Sequence, residues 1–230
     1  VNARRRVAVL IATTALLALG GAPAASAHGG RSVETESEAR PDEDRPIDRD
    51  VSERRVKLAG RHVRAEAEAS AKVRCDDCAA EAVTFQIVSV HRAKVTKVRN
   101  EARATARCEN CRAAAVSVQV VVARTRTIRP DNRAEAVNDH CTGCTTSAAA
   151  YQFVLVGDRK KDLSERGRAL VAQIETEMVG VLAPAGVGAG PAPAGLAVQD
   201  ALQAGADRIE AVLRDEMGNV EIERHVDVSG

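Results

Sequence analysis

The chain has 230 residues, with 33 lysines and arginines against 32 aspartates and glutamates and a net charge of +1. It holds no Trp, one Tyr and two Phe, so its core must be built from Val, Ile and Ala and stabilised by regularity or covalent cross-links. No nucleic-acid partner is expected, since aromatic rings set among cations, on which bases stack, are missing.

The chain opens with Arg4-Arg5-Arg6, an apolar run from Val7 to Leu19, and Ala25-Ser26-Ala27. That order predicts a secretory signal peptide over residues 1–27. The apolar run is shorter than the roughly 20 residues a helix needs to span a bilayer, so the expected location is secreted, extracellular or associated with the cell envelope. No transmembrane anchor is expected in the mature chain. Residues 28–60 are dominated by charge and punctuation, including Glu34, Glu36, Glu38 and Pro41-Asp42-Glu43-Asp44-Arg45-Pro46. Such a segment offers little apolar surface to offset the entropy of ordering it and reads as a disordered linker.

Residues 61–159 contain a unit repeated three times at a spacing of 33 residues: Cys75-Asp76-Asp77-Cys78, Cys108-Glu109-Asn110-Cys111 and Cys141-Thr142-Gly143-Cys144. Ten residues after each first cysteine stands Phe85, Val118 or Tyr151, followed by Gln86, Gln119 or Gln152. Before each pair runs an alternating small-residue track, such as Ala67, Ala69, Ala71 and Ala102, Ala104, Ala106. In the third copy the track ends one residue further from the cysteine, which fits a β-bulge. Alternation predicts strands. Each repeat therefore reads as strand, C-x-x-C connection, strand, and the fold class expected is α+β, an antiparallel β-hairpin repeat array of about six strands.

Over residues 160–218 the period becomes helical. Asp162 or Ser164 can cap a helix with the stripe Leu163, Leu170, Val171, Ile174, Met178, Val181 and Leu182, and residues 184–195 break it. A second helix carries Leu202, Ile209, Val212, Leu213 and Met217 and ends at Gly218. The two form a helical hairpin whose stripe must be buried against itself, the sheet or another copy, the last giving a homo-oligomer. Residues 219–230 form a tail.

The six cysteines admit three readings. Export and a weak core favour disulfides, within each pair or between copies. Two pairs on adjacent repeats could instead supply four thiolates to zinc, with His62, His91 or His140 completing a set for the third pair. Thiol–disulfide redox chemistry is the third reading. Asp76, Asp77 and Glu109 disfavour the reactive thiolate it needs. No cofactor is expected on the first reading. The glutamines read as a ladder bonding between neighbouring strands.

The combination of export segment, Ala-x-Ala track, C-x-x-C, following glutamine and charged helical tail is similar to a group of exported actinobacterial proteins. The resemblance covers about residues 67–217. It implies a family and an address, and supplies no activity.

Away from the cysteines, the connections carry Arg92, Lys94, Lys97 and Arg99, then Arg124, Arg126 and Arg129. This basic patch suits an anionic envelope polymer or an acidic protein partner, while the acidic helices could dock on it within the chain or between copies. The absence of G-x-S-x-G and H-E-x-x-H argues against a hydrolase. The expected function is a non-enzymatic structural or binding protein, with zinc binding or redox activity as alternatives.

Overall fold

The computed structural model describes residues 30–157, 163–182, 195–218 and 220–230. The expected export segment, Asp162 and most of the predicted breaker lie outside these residues. In chain order the elements are β1 (Arg31–Ala39), β2 (Ile47–Ala59), β3 (His62–Val73), β4 (Ala79–Ala106), β5 (Arg112–Asn138), β6 (Thr145–Val156), α1 (Glu165–Leu182), α2 (Gly195–Met217) and β7 (Glu221–Ser229).

The strands wind into a β-solenoid of about four turns. β4 and β5 each run along one layer and, beyond a corner, along the other. Layer A stacks β2, residues 79–90, residues 112–123 and β6 in parallel, with β7 added antiparallel. Layer B stacks β1, β3, residues 93–106 and residues 125–138, all in parallel.

The antiparallel hairpin array is therefore overturned. The C-x-x-C connection joins strands of opposite layers, and each strand pairs with its own equivalent one coil later. Phe85, Val118 and Tyr151 are register partners, as are Gln86, Gln119 and Gln152. Hairpin and coil share the same alternation inside one repeat. They differ in whether identical residues stack, and here those residues gain from stacking.

Residues 28–60, expected to be disordered, contain β1 and β2, which form the first coil. The glutamates of β1 occupy one side of that strand. In β1, Val33, Thr35, Ser37 and Ala39 are buried while Glu34 and Glu36 face out, so the next coil supplies the backbone partners that a polar strand lacks alone. The tail likewise contains a strand, β7.

The space between the layers is graded. Toward the cysteines it is filled by Ala69, Ala71, Ala80, Ala82, Ala102, Ala104, Ala113 and Ala115. Toward the other corner it is filled by Val63, Val88, Val90, Val98 and Val121. The Ala-x-Ala track is the inner face of layer B. The outer face of layer A is also apolar, through Val83, Phe85, Ile87, Val118, Tyr151 and Phe153.

Val171, Ile174 and Met178 of α1 and Leu202, Ile209 and Leu213 of α2 cover that outer face. The two helices form as expected and most of the stripe is buried against the sheet and itself, but Leu170 and Val181, expected in it, are exposed. Gly167 N–H donates to Ser164 Oγ at 3.0 Å, which makes Ser164 the N-cap of α1. A Cβ at Gly205 would lie 2.5 Å from Met178 Cγ, so glycine sets the close approach of α2 to α1.

The open edges of layer B are plugged by side chains from layer A. At one end Glu38 N–H and Arg40 N–H donate to Asp50 and Asp48 at 2.7 and 2.6 Å. At the other, Ala134 N–H and Ala136 N–H donate to Asp227 and Ser229 at 2.9 and 3.2 Å. Satisfying these donors takes part of each edge away as a template for another strand.

Candidate functional sites at two corners

At one corner the C-x-x-C turns stack coil on coil. The third residue of each turn has a positive φ: 57° at Asp77, 54° at Asn110 and 70° at Gly143. Asp, Asn and Gly are the residues that tolerate this left-handed region best. The turns also bond to each other. Asp77 N–H donates to the Glu109 carbonyl at 2.9 Å and Asn110 N–H to the Thr142 carbonyl at 2.8 Å, while Glu109 N–H donates to Asp76 Oδ1 at 2.8 Å. Asp76 and Glu109 thus stand within a stack of turns.

Within each pair the two sulfurs lie at bonding distance, and the Cα atoms are 5.6, 6.0 and 5.9 Å apart along the chain order, inside the range a disulfide spans. Cys78, Cys108 and Cys111 are buried; Cys75, Cys141 and Cys144 are half-buried. Adjacent coils also approach closely: the Sγ atoms of Cys108, Cys111 and Cys144 all lie within 4.8 Å of one another. Cys111 N–H points at Cys144 Sγ at 3.4 Å.

The first coil has no cysteines. Its corner is closed by Asp42 and Arg45, with Arg45 N–H donating to Asp42 Oδ1 at 2.7 Å and to the Asp42 carbonyl at 3.1 Å. This backbone donation, helped by the Arg45 charge, holds the Asp42 carboxyl below its ordinary value. The longer third copy places its additional residue at this corner. His140 (φ 52°) bonds to Asp139 at 2.5 Å and is almost fully exposed. His62 and His91, weighed above as ligands, stand at the opposite corner.

Gln86, Gln119 and Gln152 form the expected ladder. Gln119 Nε2 donates to Gln86 Oε1 at 2.8 Å, and Gln152 Nε2 to Gln119 Oε1 at 2.8 Å. The ladder ends on Thr35 Oγ1, 2.9 Å from Gln86 Nε2. Each amide also reaches a carbonyl of layer B, at Glu66, Arg99 and Asp131. The ladder therefore ties the two layers together from inside. A second ladder was missed: Asn100 Nδ2 donates to Asn132 Oδ1 at 2.8 Å, and Ser117 Oγ to Asn100 Oδ1 at 2.6 Å. Its only sequence signal is two asparagines interrupting the small-residue tracks.

At the opposite corner the chain turns at Gly60-Arg61, His91-Arg92 and Arg124. The register shifts between Val90 and Ala93, where β4 holds one residue more than β5. Arg92 sits there with φ 60°. Arg92, Lys94 and Arg124 line an open groove of about 720 Å³ with Ala93, Thr125, Val156 and Gly157. Lys97 and Arg129 are register neighbours on the outer face of layer B, continuing from Arg64 in a cationic row. Arg99 lies one row further in and is paired with Glu101 at 2.5 Å and Asp131 at 3.9 Å. The side chain of Arg126 lies outside the described residues.

The acidic helices meet arginines of their own region. Arg224 of β7 pairs with Asp207 at 2.6 Å and Glu210 at 3.1 Å, and Arg208 pairs with Glu177. Two buried carboxyls were also missed. Burial pushes Glu81 up to about 7 against the opposing pull of Arg49, 3.3 Å away. Burial pushes Glu175 of α1 to about 7 as well, with Glu53 adding to the rise and Arg55 opposing it. Glu81 could have been noticed as the one acid inside Ala79-Ala80-Glu81-Ala82-Val83.

Comparison with family models, curated proteins and solved structures found no match.

Proposed function

We propose that this chain is an exported, non-enzymatic binding scaffold, a solenoid stapled by three within-pair disulfides that presents its basic corner to an anionic polymer of the cell envelope. The observation that carries the reading is the division of labour between corners. The cysteine turns are spent on bonds to their own pair and to the next turn. The other corner gathers Arg92, Lys94 and Arg124 around an open groove, with Lys97 and Arg129 alongside. Cations repeating from coil to coil suit a ligand whose charges also repeat, because each added contact raises the affinity without demanding a unique pose. Self-association through the helices is the weaker reading, since Val171, Ile174, Met178, Leu202, Ile209 and Leu213 are covered within the chain and Leu170 and Val181 leave only a small exposed remainder of the stripe.

The test is binding of the oxidised protein to an immobilised polyphosphodiester across a salt series. The expected result is affinity that falls steeply with salt and drops about tenfold or more in R92A/K94A/R124A, with the circular dichroism of the variant unchanged. Equal binding by that variant and the parent would remove the basic corner from the account.

A further inference from the structure

At the cysteine corner, sulfurs of two different pairs lie close together across adjacent coils. Cys108 and Cys111 contribute one pair and Cys144 the nearer half of the next, all three Sγ atoms within 4.8 Å. Cys108 and Cys111 are buried and Cys144 is half-buried, so the trio has a closed side and an accessible side. No other such group of cysteines, histidines and carboxylates occurs among the described residues.

We propose that, when these disulfides are reduced, Cys108, Cys111 and Cys144 form a thiolate site for a soft metal cation such as Zn²⁺, built across two coils. Tetrahedral zinc with bonds of about 2.3 Å holds its sulfurs about 3.8 Å apart, so Cys144 Sγ needs to close by no more than about 1 Å, while the Cys108 and Cys111 sulfurs, bonded in the oxidised protein, must separate by about 1.8 Å once reduced. The stacked turns resist larger motion, because Asn110 N–H is bonded to the Thr142 carbonyl of the next turn at 2.8 Å. Cys111 N–H, directed at Cys144 Sγ from 3.4 Å, stabilises the thiolate there. Neighbouring Asp76 and Glu109 disfavour a bare thiolate cluster, but a divalent cation reverses the sign of that interaction.

The chemistry balances in two stages. A dithiol reductant gives two electrons and two protons to the Cys108–Cys111 bond and the same to Cys141–Cys144, becoming a disulfide each time. Zn²⁺ then displaces one proton from each of three thiols and leaves the fourth tetrahedral position open. The site and the stapled scaffold are thus alternative states of the same sulfurs.

The reduced full chain is titrated with Zn²⁺ alone, and thiol protection against alkylation is mapped by peptide mass. Expected is one Zn²⁺ per chain, with Cys108, Cys111 and Cys144 protected at least tenfold relative to Cys75 and Cys78, and no uptake by the oxidised protein. The C75S/C78S variant keeps the binding and C144S loses it, with circular dichroism reporting whether each retains β structure. Protection of all three pairs alike, uptake of three ions, or no uptake by the reduced chain overturns the proposal. Polymer binding by the oxidised protein is measured separately, so failure of the metal site leaves that reading standing or falling on its own result.

Discussion

The two corners of the coil perform the same turn with opposite means. At the cysteine corner the three C-x-x-C turns superimpose, the one additional residue of the third copy standing just before its turn, with Asp77, Asn110 and Gly143 in one left-handed position and backbone bonds running from turn to turn. At the basic corner the turns differ in length, one of them shifts the register, and charged side chains take the place of paired cysteines. A corner that is stacked and closed can fix the pitch of the coil. The other is then free to vary, and variable turns on a rigid frame are where binding surfaces accumulate.

Insertion should break this contrast most visibly. Two residues placed between Glu109 and Asn110 displace the left-handed position and both inter-turn bonds, and should cost about 3 kcal/mol in a denaturant titration. The same two residues after Arg124 lengthen an exposed turn and should cost about 0.5 kcal/mol. Equal costs would mean the corners are mechanically alike.

A change of pH separates both corners from the packed interior. Glu81 and Glu175 have folded values raised to about 7 from an ordinary 4.5. Between those values the folded state binds more protons than the unfolded state, so stability falls as pH rises from about 4.5 through 7 and levels off above. Glu175→Gln should flatten that decline and raise stability at pH 8 by on the order of 2 kcal/mol. A decline that is unchanged in the variant would remove Glu175 as a source.

Loss of one staple comes next. C108S/C111S should cost about 2 kcal/mol, the chain-entropy value for so short a loop, and should leave polymer binding at the opposite corner unaltered. The smallest effect expected is from Asn110→Val, about 1 kcal/mol, because a β-branched residue strains in the left-handed region. The same substitution at an exposed strand position such as Thr127 should be within about 0.5 kcal/mol.

What was legible in the sequence was the register. The spacing of Gln86, Gln119 and Gln152 identified a ladder, and the stripe of Leu202, Ile209 and Leu213 identified a helix face. The direction of pairing was not legible, because one repeat alternates identically whether its second strand folds back alongside the first or crosses to another layer. The first coil was hidden by its outward row. Glu34, Glu36 and Glu38 dominate the composition while Val33, Ser37 and Ala39 do the packing, and Arg54 replaces the ladder glutamine, its guanidinium donating to the Glu34 carbonyl at 3.1 Å. Glu81 was only faintly legible: an acid among alanines marks the position, but its burial comes from tertiary packing. The left-handed positions are written in the series Asp77, Asn110, Gly143, the residue types that tolerate a positive φ.

The central claim, that the cysteine corner is a covalent frame, is tested most directly by alkylating the purified native protein under denaturing conditions before and after reduction and reading the intact mass. The account predicts no label before reduction and all six cysteines labelled after it, with proteolysis between the repeats placing each bond inside its own pair. Labelling of thiols in the unreduced protein, or bonds linking different pairs, would contradict it.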